Sequence, residues 1–123
     1  MKSGLPLQNS LKNCVKPETL KDMNFPTRPG VFTASLTPLN QDASPNLNQL
    51  VSHVNWLFGQ GSDGVAILGS TGEANSLTFE QRLSIIEHTA GELPPEKLML
   101  GTGSCSMQDA IRLTSASVQA DVF

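Results

Sequence analysis

The stretch GVAILGSTGEANSLTFEQR, residues 64–82, decides the fold. It opens with a short, continuously apolar run over 64–70, the pattern of a parallel strand covered on both faces. Gly69 and Gly72 then bracket two hydroxyl residues, Ser70 and Thr71. Thr78, with Gln81 three residues on, spells a capping box and starts a helix. Phe79, Leu83, Ile86 and Ala90 give that helix one apolar face. A strand, a hydroxyl turn and a helix in that order make one β/α unit.

The same plan repeats on either side. Upstream, GVFTASLTPL (30–39) is rich in β-forming residues and ends at Thr37-Pro38, because proline cannot continue a central strand. The next segment, SPNLNQLVSHVNWLFGQG, reads as a helix with Ser44 as N-cap and Pro45 in the first helical position. Leu47, Leu50, Val51, Val54, Leu57 and Phe58 form its apolar stripe, and Gly59 and Gly61 end it. Downstream, KLMLGTG (97–103) reads as a third strand. It precedes a helix from Ser106 with Met107, Ala110, Ile111, Thr114 and Val118 on one side. The order βαβαβα predicts parallel strands joined by right-handed crossovers. An open doubly wound sheet and part of a closed (β/α) barrel both satisfy it. In either, chemistry belongs at the C-terminal ends of the strands. Those ends are Thr37-Pro38, Gly69-Ser70-Thr71-Gly72 and Gly101-Thr102-Gly103, all small and hydroxyl-bearing.

The chain has 123 residues and a formal charge of −3, with its basic residues scattered. It therefore lacks the basic patch of a nucleic-acid groove or membrane surface. No apolar stretch nears the ~20 residues of a membrane span. Cys14 and Cys105 show no metal or redox spacing, so a reduced, cytoplasmic setting is expected, with neither metal nor cofactor. His53 and His88 fall on separate helices as surface or half-buried residues. Residues 1–27 have no sustained period and no apolar signal region, and read as an irregular tail whose Met23 could be the true start. Residues 28–123 carry the β/α units.

Two glycine motifs are set aside. GQGSDG (59–64) has dinucleotide-fingerprint spacing, but it follows a helix and opens a strand, the reverse of what that motif needs. GTGSCS (101–106) lacks the third glycine, and no strand intervenes to carry Asp121 to a ribose.

Glycines at a strand end turn backbone N–H groups outward, and Ser70 and Thr71 add two hydroxyls. Such a turn suits a small carboxylate, and it also suits an ordinary hydroxyl turn that satisfies its own backbone. Glu73 is the only carboxylate in the turn and could brace it. From the residues alone the two readings stand level.

ASLTP (34–38), GSTGEANSLTFEQR (69–82) and GTGSCSMQDAIRLT (101–114) resemble the first three β/α units of the dihydrodipicolinate synthase and N-acetylneuraminate lyase family. The resemblance covers residues 30 to about 118. It implies a (β/α)8 barrel that condenses or cleaves 2-oxo acids such as pyruvate through a lysine Schiff base, aided by a tyrosine that relays protons. By the same resemblance Ser70 is a member of the proton relay. Thr71 grips the carboxylate through its amide and hydroxyl, and Gly72 and Thr37 complete the binding site. A dimer or tetramer is implied for the complete enzyme. Ser70 replaces the threonine usual in dihydrodipicolinate synthases and matches sialic acid lyases, whereas the turn lacks the extra residue those lyases often carry. Substrates thus range over aspartate semialdehyde with pyruvate, sialic acids and 2-keto-3-deoxy sugar acids. A lysine-feedback site of some synthases lies near positions matching Phe79, Arg82, Cys105 and Asp109. Phenylalanine and cysteine there depart from it.

A complete barrel takes about 250 residues, and three units are expected here, without the strands that carry the tyrosine and the Schiff-base lysine. None of Lys2, Lys12, Lys16, Lys21 and Lys97 fits that role. The 123 residues alone are therefore expected to be inactive, as a truncated part of an aldolase. The rival of another class is a noncatalytic remnant or half of a split protein that needs a partner chain.

Overall fold

A computed structural model describes residues 30–122; the expected tail lies outside the described residues. The elements are β1 (Phe32–Ala34), α1 (Leu47–Gly59), β2 (Gly64–Ile67), α2 (Phe79–Glu92), β3 (Leu98–Leu100) and α3 (Met107–Gln119). Single 3-10 turns at Ala74–Ser76 and Pro95–Lys97 precede α2 and β3. The strands are shorter than their apolar runs because each chain leaves the ladder as it bends into the loops at the sheet edge.

All three strands are parallel, in the order β1-β2-β3, with Thr33 beside Val65 and Val65 beside Leu98. Each helix packs on its successor, α1 on α2 and α2 on α3. Strand order thus follows chain order and the helices form one layer. A doubly wound sheet reverses its order and carries helices on both faces; neither feature occurs among the described residues. The core lies between the layers, where Val65, Ile67 and Leu98 meet Leu50, Val54, Ile85, Ile86 and Leu113.

The opposite sheet face corrects the expectation of a strand covered on both sides. Ala34, Ala66 and Met99 share it, and Met99 remains 51% exposed. Phe32 lies across Gly64 there, on a seat that any Cβ would block.

α1 starts later than the sequence suggests. Asn46, not Ser44, is its N-cap, accepting the Gln49 N–H at 3.0 Å. Ser44 is engaged elsewhere: its hydroxyl and N–H both donate to Asp42 Oδ1, at 2.6 and 3.0 Å. Those bonds hold the Asp42 carboxyl below its ordinary pKa. Pro45 meanwhile bridges Leu39 in extended conformation.

α2 opens on Thr78 with the expected capping box, Gln81 N–H to Thr78 Oγ1 at 3.2 Å and Thr78 N–H to Gln81 Oε1 at 2.9 Å. Its inward face is turned from the expected one. The buried positions are Arg82, Ile85, Ile86 and Thr89, with Phe79 and Ala90 packed at their margin. Helices flank α2 on both sides, so its buried stripe is broad. Thr89 enters the stripe because its hydroxyl is satisfied, Oγ1 donating to the Ile85 carbonyl at 2.7 Å.

α3 departs further. Leu113 and Ser117 are its buried residues, while Met107, Ile111 and Val118 are exposed. Thr114 turns to the loop after β3, its hydroxyl donating to Thr102 Oγ1 at 3.0 Å. The stripe read from the sequence exists, but it points away from the core.

Candidate functional site

The C-terminal strand ends converge at one edge of the sheet. There the Ser35 N–H donates to the Ala66 carbonyl at 2.9 Å and the Gly101 N–H to the Ile67 carbonyl at 2.8 Å. Each bond carries its ladder one residue past the strand, so all three loops leave from the same rim.

The middle loop bends at Leu68, a buried leucine with φ 60°. Left-handed backbone is costly for a residue with a side chain, of order 1–3 kcal/mol. The burial of Leu68 at 2% exposure offsets that cost. The bend presses the Leu68 carbonyl against Gly101, where any Cβ would collide with it, so only glycine fits position 101. The turn then closes through the Glu73 N–H, which donates to the Ser70 carbonyl at 3.1 Å, with Glu73 itself at φ 52°. Glu73 makes no side-chain cap bond, so its contribution to the turn comes through its backbone.

Gly72 is buried, and its closeness is to protein rather than to open space. A Cβ there would stand 3.1 Å from the Ser35 carbonyl oxygen and 3.1 Å from Thr37 Oγ1. The Thr37 hydroxyl donates to the Gly72 carbonyl at 2.8 Å. The structure therefore brings Thr37 and Gly72 together as a brace that ties the turn to the end of β1.

Ser70 and Thr71 are left outside that brace. Both are exposed, and among the described residues neither hydroxyl is engaged in a hydrogen bond. Ser70 lines an open cleft of about 490 Å³ with Leu68, Gly69, Glu73, Ala74 and Gly103. Thr71 stands on the turn beside it and is not part of the lining.

Arg82 supports the third loop, a role the sequence reading missed. It is 5% exposed, and its Nη2 donates to the carbonyls of Gly103 at 2.7 Å and Gly101 at 3.3 Å. Its Nε is buried without a hydrogen-bond partner among the described residues. The available signal was its place three residues after Phe79, within the apolar stripe. With Phe79, Cys105 and Asp109 it lines a second cleft of about 390 Å³, so the four positions singled out in the sequence do meet.

The remaining candidates stay structural. GQGSDG runs from the end of α1 to the start of β2, with Gly61 at φ 97° as a turn residue. Lys97, the only lysine among the described residues, sits just before β3 at the opposite edge, its ammonium 5.2 Å from the Phe58 ring centre. His53 stacks on Trp56. Among the described residues no cluster of metal-ligating side chains occurs, and no helix is long and apolar enough to cross a membrane.

Residues 27–121 match the model of the Dihydrodipicolinate synthetase family. The 4-hydroxy-tetrahydrodipicolinate synthase of Neisseria gonorrhoeae is 37% identical over 95 residues, covering 74% of this chain and 32% of the relative. That of Bacillus subtilis is 31% identical over 101 residues, covering 81% and 34%. Among solved structures, a Sulfolobus solfataricus 2-keto-3-deoxygluconate aldolase variant superposes with a TM-score of 0.69 at 28% identity, covering 76% of this chain and 31% of that one. A prophage protein belonging to the dihydrodipicolinic acid synthase family from E. coli K12, in complex with pyruvate, gives 0.65 at 27%, covering 76% and 32%. The chain spans about a third of the length of the curated relatives it matches.

Proposed function

The chain belongs to the dihydrodipicolinate synthetase family, and from that membership we propose that it supplies the carboxylate-binding turn of a (β/α)8 aldolase or synthase acting on 2-oxo acids. The observation that carries the reading is the division of labour on the turn. Thr37 and Gly72 lock it to β1, while Ser70 and Thr71 keep hydroxyls free at the rim. Donors held rigid by bonds elsewhere need no reorganisation when an anion arrives. Thr71 then grips the oxo acid's carboxylate through its N–H and hydroxyl. Ser70, facing the cleft, passes a proton to or from the reacting carbon chain.

The amine that forms the Schiff base comes from outside the described residues. Lys97 cannot serve, since it stands at the far edge of the sheet. Attack of a lysine amine on the 2-oxo carbon forms the C=N bond and releases the oxygen as water. The resulting cation then withdraws electrons from the adjacent carbon. The kind of reaction nearest to the relatives is that of 4-hydroxy-tetrahydrodipicolinate synthase. The superposition on a 2-keto-3-deoxygluconate aldolase favours cleavage of a 2-keto-3-deoxy sugar acid as the second reading.

The test is borohydride trapping with pyruvate, read by mass spectrometry, on two proteins. One is the 123-residue chain. The other is a continuous chimera in which residues 27–121 replace the matching third of the Bacillus subtilis relative. The chimera is expected to trap one pyruvate per chain and the short chain none. An adduct on the short chain would overturn the assignment of the lysine to sequence outside it. A folded chimera that traps nothing would overturn the function.

A further inference from the structure

Arg82 is a cation in the buried stripe of α2, where packing alone calls for an apolar residue. It is 5% exposed, and its Nε has no hydrogen-bond partner among the described residues. No carboxylate pairs with it there, since the one ion pair among those residues joins Arg112 to Asp109 at 3.9 Å. A buried charge without a counter-ion and a buried N–H without an acceptor both cost stability. An apolar side chain of similar length avoids both costs, so stability does not account for an arginine at this position.

What Arg82 does engage is the third loop, through the Gly103 carbonyl at 2.7 Å and the Gly101 carbonyl at 3.3 Å. Gly103 lines the cleft that Ser70 faces, and Arg82 does not. Arg82 lines the second cleft, and Gly103 does not. Gly103 is thus a wall between the two, with its carbonyl drawn to the Arg82 side. The peptide bonds are trans, so each captured carbonyl turns the N–H of the next residue, Thr102 or Ser104, the opposite way. Among the described residues neither of those N–H groups donates a hydrogen bond. The loop therefore keeps its acceptors toward the guanidinium and its unengaged donors away from it. Released from Arg82, a carbonyl oxygen could turn into the cleft beside Glu73, which already lines it. Two negative groups would then oppose an anionic substrate.

We infer that Arg82 is a positioning residue for the substrate carboxylate: by holding the Gly101 and Gly103 carbonyls behind the wall, it keeps the cleft of Ser70 selective for an anion. The inference rests on the proposed 2-oxo acid site.

The experiment measures borohydride trapping in the chimera at rising concentrations of pyruvate and of pyruvamide, its uncharged amide. The amide can donate to a carbonyl turned into the cleft, whereas the carboxylate is repelled by one. Arg82→Met is expected to raise the half-saturating pyruvate concentration about tenfold or more, and that of pyruvamide less than about threefold. Arg82→Lys keeps a charged donor and is expected to stay within about threefold of the unsubstituted chimera for both. Arg82→Gln, too short to hold both carbonyls, is expected to fall between, so the pyruvate-specific loss stays readable if Arg82→Met fails to fold. Equal losses for both ligands would make Arg82 a merely structural residue and overturn the inference. No loss, or a lysine variant as impaired as the methionine one, overturns it too. In each of those cases the unsubstituted chimera still traps pyruvate, and the 2-oxo acid reading stands. A folded unsubstituted chimera that traps nothing overturns that reading, and the inference falls with it.

Discussion

Ser70 and Thr71 sit one residue apart yet have different tasks available to them. Ser70 lines the cleft, whereas Thr71 stands on the rim of the turn. A clamp on a substrate carboxylate acts in ground and transition states alike, so its loss raises KM. A relay hydroxyl acts as protons move, and its loss lowers kcat by about 10²–10⁴. In the chimera, Thr71→Val is therefore expected to raise KM for pyruvate moderately, since the residue 71 N–H remains. Ser70→Ala is expected to lower kcat with little change in KM. Steady-state kinetics separates the two, and a normal kcat for Ser70→Ala would reduce that serine to an ordinary turn residue. These two residues were legible in the sequence because glycines flanked them at the end of an apolar run. Arg82 was not, since a charged side chain on a helix reads as surface until the carbonyls that receive it, those of Gly101 and Gly103, are located. The left-handed Leu68 gave no signal at all, because only tertiary burial holds a leucine there.

At the scale of the element, local chemistry was readable and facing was not. The Thr78–Gln81 box formed as written, because both partners lie within one turn. The cap of α1 moved by two residues, because Asp42 competes for Ser44 and an antiparallel bridge holds Pro45. A consequence can be measured by chemical denaturation of the chimera. Thr78→Ala and Asn46→Ala should each cost about 0.5–2 kcal/mol, the loss of an N-cap. Ser44→Ala should cost less than Asn46→Ala, since its hydroxyl serves only an exposed turn, donating to Asp42 and accepting from Asn40. An equal or larger effect of Ser44→Ala would restore the earlier helix start. The stripe on α3 shows the other kind of failure. Periodicity finds an apolar row but not the direction of its partner. On α3 the buried face is lined by Leu113, Ser117 and small alanines, while the larger apolar residues stand outward.

For the molecule as a whole, three features leave apolar surface uncovered within the described residues. β1 and β3 are both sheet edges, the face of Ala34, Ala66 and Met99 carries no second layer, and α3 exposes its apolar row. Val31, Leu36 and Leu39 add exposed apolar surface around β1. Unpaired parallel edges invite pairing with other chains, and contiguous apolar surface invites association. The formal charge of −3 spread over 123 residues opposes this only weakly. The core between the layers is nonetheless well formed, with Leu50, Val54, Val65, Ile85, Ile86 and Leu113 all at 0% exposure. Secondary structure should therefore persist even where the chain associates. The isolated 123-residue chain is expected to show an α/β circular dichroism spectrum, a broad and weakly cooperative melt, and heterogeneous oligomers on size exclusion. A sharp cooperative transition from a monodisperse monomer, with no partner present, would mean that the uncovered surface is tolerated, and the chain would then stand as an independent α/β domain.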